Sequence, residues 1–168
     1  MTFPVRLATL CLLVLAPVPP ALAADACDAL TARMIRATGA SLAGRDGSRA
    51  VFRAADAERM SLDCRAPRRM VFAALAREPG RPFYGLIGLA AQALTGASAE
   101  AVETLALALH QEALLTGRPR QGRAGRAALR CETAPDTDPF VDVRTRCILV
   151  PSPALRRRAG LFAAAGAG

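Results

Sequence analysis

The chain has 168 residues, 52% of them hydrophobic, and a formal charge of +8 in which all 22 basic residues are arginine. That length suits one domain, able to bury roughly two-thirds of its unfolded surface, and leaves little room for two. One tyrosine and no tryptophan leave too few rings to stack on bases, so a nucleic-acid partner is not expected.

Residues 1–23 read as a cleaved signal peptide. Arg6 supplies the positive start, Leu7 to Ala16 is apolar, and Pro17 to Pro20 ends the run. About ten apolar residues fall well short of the roughly 20 that span a bilayer. Ala21-Leu22-Ala23 fits the small-x-small rule, which puts cleavage between Ala23 and Ala24. Cys11 lies in the apolar run, but Ala8-Thr9-Leu10 before it is no lipoprotein box. The mature chain is therefore expected to be exported, periplasmic or secreted, with no transmembrane span.

Removing 23 of the 168 residues leaves 145, a charge of +7 and four cysteines, Cys27, Cys64, Cys131 and Cys147. An even number in an oxidising compartment predicts two disulfides. Three pairings are possible, and proximity along the chain favours Cys27–Cys64 with Cys131–Cys147. Spacings of 37, 67 and 16 with no Cys-x-x-Cys speak against zinc and against a redox pair.

In chain order, Asp25 is the expected N-cap of a first helix. Cys27, Leu30 and Met34 lie on one face of it, and Gly39 is its stop. Between Gly39 and Arg77 the period falls to two. Gly44-Arg45-Asp46-Gly47 reads as a turn, Arg49–Ala54 as a strand, and Asp56-Ala57-Glu58 as a second turn. Met60, Leu62 and Cys64 alternate with Arg59, Ser61, Asp63 and Arg65, the pattern of a half-buried strand. Beyond Pro67, Met70–Ala76 reads as a third strand.

Two helices follow. Phe83–Thr95 opens after Pro82 and has almost no polar face, so it must be covered. Gly85 and Gly88 would admit another backbone close by. Ser98 caps the second helix, Glu100 and Glu103 suit its first turn, and Gly117 stops it. Arg118–Arg126 reads as a basic loop. Ala127–Thr133 and Phe140–Val150 read as strands, with Cys131 opposite Cys147 if Thr133 is opposite Thr145. Pro151–Gly168 is an arginine-, alanine- and glycine-rich tail, expected to be poorly ordered.

The sum is an α+β domain spanning residues 24–150. It has a mostly antiparallel sheet of about five strands, three helices on one face and two disulfides, leaving the other face wet.

No motif carries an activity. His110 is the only histidine, at the edge of the apolar stripe near Leu107 and Leu114, and Glu103 is two turns away, roughly 10 Å by helical rise. No nucleophile elbow or zinc-protease pattern accompanies it. Asp136, Asp138 and Asp142 lack the glycine and glutamate of a calcium loop and read as turn formers. No cofactor or metal is indicated. Arg118, Arg120, Arg123 and Arg126 are the densest ordered basic cluster and the candidate anion site. Arg156–Arg158 form a second run, beside Leu155, Leu161 and Phe162.

Abundant Ala, Gly, Arg and Pro with no Lys also reads as a GC-rich coding bias, so the arginine count alone is weak support for a partner. The expected function is a non-catalytic exported module that binds a protein or an anionic surface. The alternatives are a hydrolase-type enzyme assembled around His110 and a purely structural partner subunit.

Overall fold

The computed structural model describes residues 20–134 and 144–153, with side chains from Ala26 onward. Among them the elements run α1 (Pro20–Thr38), β1 (Ser41–Asp46), β2 (Arg49–Ala54), β3 (Ala57–Asp63), β4 (Arg69–Ala74), α2 (Arg81–Thr95), α3 (Ala99–Thr116), β5 (Arg120–Ala124), β6 (Ala127–Thr133) and β7 (Thr145–Pro151). The strands form one antiparallel sheet in the order β1-β2-β3-β4-β7-β6-β5. Two meanders, β1–β4 and β5–β7, therefore meet at the β4–β7 seam, and α2 and α3 lie between them in the chain.

Period-two patterning decides which face is buried. Phe52, Met60, Phe72, Cys147 and Cys131 are aligned by register across five strands, and Leu62, Met70, Leu149 and Leu129 form the next row. All nine are at most 3% exposed. The helices cover this face: α3 packs on β5 and β6, and α2 is flanked by α1 and α3. Ten of the fifteen α2 residues are buried, as a helix without a polar face requires. Gly88 makes that packing possible, because a Cβ there would run into the Ala99 carbonyl of α3. Arg81 Nε reaches Glu103 Oε1 at 2.9 Å and ties the two helices at their exposed side. The Ser98 hydroxyl accepts from the Ala101 N–H at 3.4 Å and caps α3.

Both disulfides are on the helix side of the sheet. Cys27–Cys64 ties α1 to the residue following β3, with Cα atoms 5.7 Å apart. Cys131–Cys147 joins directly opposed residues of β6 and β7, and Thr133 pairs with Thr145 in the same register.

The sheet has seven described strands where five were expected. The segment from Ser41 to Asp46 is a strand, and its turn falls at Gly47-Ser48 instead of across Gly44–Gly47. Gly44 sits at a bulge within that strand. Arg118–Arg126 is likewise no plain loop, since β5 occupies Arg120–Ala124 and turns back at Gly125-Arg126. Helix α1 begins at Pro20, so Asp25 lies inside it and does not cap it, and Ala23 and Ala24 fall within the same helix. Strand β7 runs on to Pro151. Residues 1–19, the Asp136, Asp138 and Asp142 segment, and the tail from residue 154 lie outside the described residues.

Candidate functional site: the open face of the sheet

The four arginines singled out in sequence do not meet. Arg123 points to the open face, paired in register with Ala128. Arg120 is opposite Cys131 and so lies on the helix side, where its Nε is 3.8 Å from Glu112 Oε2 on α3. Arg126 sits in the β5–β6 turn, its carbonyl accepting from the Ser152 N–H at 2.8 Å. Arg118 is exposed just past the C-terminus of α3. Alternation along β5 divides this cluster between two sides of the molecule.

What alternation disperses there it gathers elsewhere. The open face carries Arg49 and Arg53 from β2, Arg59 from β3, Arg69 from β4, Arg146 from β7, Arg130 from β6 and Arg123 from β5, all exposed. Three carboxylates oppose them: Asp46 of β1, in register with Arg49, and Asp63 and Glu132, which are both engaged. Asp63 takes two hydrogen bonds from the Arg65 guanidinium, at 3.2 and 3.0 Å. Those bonds, with one from the Arg65 N–H, hold its carboxyl well below the usual range. Glu132 receives Arg130 at 3.3 Å and Arg146 at 3.6 Å. Among the described residues, no carboxylate pairs with Arg49, Arg53, Arg59, Arg69 or Arg123. Helices α2 and α3 have the opposite balance, Glu100, Glu103 and Glu112 against Arg81 alone.

The face is ordered in rows. Register places Val51, Ser61, Val71, Ile148, Arg130 and Gln121 in one line across six strands. Arg59, Ala73, Arg146 and Glu132 form the line on one side of it, and Asp46, Arg49, Asp63 and Arg69 the line on the other. Adjacent lines are about 7 Å apart by strand rise, so the flanking arginines bracket an aliphatic strip about 13 Å wide. Two hollows open on this face. One of about 650 Å³ is lined by Arg59, Ser61, Val71, Glu132, Arg144 and Arg146. The other, about 490 Å³, is lined by Arg123, Ala128, Arg130, Ile148 and Val150.

His110 is not at this face. It is 2% exposed beneath α2, with its ring centroid 5.5 Å from that of Tyr84. Burial lowers its pKa, with Glu78 opposing and Arg77 reinforcing the shift. Burial and the Glu78 charge together push the Tyr84 hydroxyl up. Neither imidazole nitrogen has a hydrogen-bond partner among the described residues, so no nucleophile or orienting carboxylate is in place for general-base work. An opening lined by Arg77, Glu78, Gln111, Leu114 and Leu115 does not include it. Among the described residues no cluster of His, Cys, Asp or Glu is placed to hold a metal, and no helix is long and apolar enough to cross a membrane.

No protein-family model, no characterised protein and no solved structure matches this chain.

Proposed function

We propose that this is an exported, disulfide-bonded binding module that recognises an anionic partner with the open face of its sheet. The observation that carries this reading is the charge imbalance: seven exposed arginines against three carboxylates, two of them already paired, on a face that no helix among the described residues covers. Coding bias accounts for the number of arginines in the chain. It does not account for their unneutralised concentration on one side while α2 and α3 bear the carboxylates. Planar guanidinium groups bind carboxylate and phosphate in bidentate fashion, which suits them to this task. The two disulfides are compatible with export into an oxidising compartment.

The test is retention of the oxidised full chain on immobilised polyglutamate as salt is raised. Retention should be strong at low ionic strength and weaken steeply towards 0.5 M, where the screening length falls to a few ångströms. The Arg59→Gln/Arg69→Gln variant should elute earlier than wild type. Passage straight through at low salt would end the anionic reading.

A further inference from the structure

The strip between the arginine rows carries information beyond charge. Val51 is 40% exposed, and Val71 and Ile148 are half-buried, although a purely electrostatic face would be polar throughout. A uniformly charged polymer would gain nothing from these side chains, because it has no apolar groups to set against them. A bilayer fits badly for another reason. Strands twist by about 20–25° relative to each neighbour, so a seven-stranded sheet turns through well over 90° and cannot lay both ends on one plane. The face suits something that follows the twist and is both acidic and apolar.

We propose that the occupant is an acidic protein segment whose aliphatic side chains are bracketed by carboxylates. Its apolar groups rest on Val51, Val71 and Ile148, and its carboxylates meet Arg59 on one side and Arg49 and Arg69 on the other. This rests on the reading of the open face as an anion-binding surface and adds the chemical class of the partner.

Two synthetic peptides of equal length and charge, one alternating Glu with Val and one alternating Glu with Ser, are titrated into the oxidised full chain. Vesicles containing phosphatidylglycerol are titrated in parallel. The Glu-Val peptide should bind about tenfold more tightly, the effect of burying one to two aliphatic side chains. Val71→Ser should remove most of that margin while leaving Glu-Ser binding unchanged. Arg59→Gln/Arg69→Gln should weaken both peptides alike. Equal binding of the two peptides would overturn the proposal and leave the anionic reading standing. Tighter binding to vesicles than to either peptide would replace the protein segment with a membrane. No binding to any of the three at low salt would remove both readings together.

Discussion

Cys131 and Cys147 sit directly opposite one another on β6 and β7, their Cα atoms 4.2 Å apart and their disulfide turned toward α3 and the core. The bond crosses a single ladder step but closes a loop of 16 residues, and Cys27–Cys64 closes one of 37. Chain-entropy arguments assign about 3 kcal/mol to the shorter loop and about 4 kcal/mol to the longer. Urea unfolding of Cys131→Ala/Cys147→Ala and Cys27→Ala/Cys64→Ala should show losses of that order, the second the larger. Equal midpoints in oxidised and reduced protein would contradict this.

Gly88 should resist even the smallest enlargement. Its missing Cβ is the space occupied by the Ala99 carbonyl, and backbone cannot rotate aside as a side chain can. Gly88→Ala should cost about 1–3 kcal/mol from overpacking, although alanine is the better helix former. Gly85→Ala, where the nearest atom is Glu103 Oε2 at 3.9 Å, should be neutral or stabilising. Thermal unfolding of the pair gives the comparison.

The buried imidazole makes stability depend on pH. Its folded-state pKa lies below the ordinary 6.5 because burial disfavours the cation. The unfolded chain therefore takes up the proton first, and stability, complete above pH 6.5, falls as the pH drops toward the folded value. Chemical denaturation between pH 7.5 and 5 should show this slope, and His110→Phe should flatten it. An imidazole that titrates by NMR at or above 6.5 in the folded protein would be the contrary result.

Arginines three residues apart should behave differently. Arg123 is on the open face and Arg120 lies on the helix side with Glu112. Arg123→Gln should weaken polyglutamate binding, and Arg120→Gln should leave it unchanged. Similar losses for both would place the anion site at the edge strand and not on the face.

The places where sequence and structure part company share a cause. The central strands announce themselves through Ala50 and Phe52, Met60 and Leu62, and Cys147 and Leu149, because one face is buried and the other wet. The two unanticipated strands are β1 and β5, the edges of the sheet. All six residues of β1 are exposed, so there is no burial period for its side chains to record. Strand β5 faces α3 through Gly122, where a Cβ would lie 2.8 Å from Leu105 Cδ1. The inward position that would normally hold a hydrophobic residue is here a glycine, and leucine side chains of α3 occupy the space above it. The candidate site was missed for a related reason. Counting neighbours along the chain selects Arg118–Arg126, whereas the sheet assembles arginines from six strands. The available signal was period-two spacing, Arg49 with Val51 and Arg53, or Arg144 with Arg146, combined with the decision as to which side is wet.

The two covalent links never interleave along the chain. Cys27 and Cys64 both belong to the first meander and its helix, and Cys131 and Cys147 both to the second. Were residues 1–23, with Cys11, removed on export, a polypeptide emerging N-terminus first would present Cys64 to Cys27 before Cys131 emerged, and would later offer Cys131 only one unoccupied thiol. Oxidation in order of appearance would then already be native pairing, with no call for a thiol-shuffling catalyst.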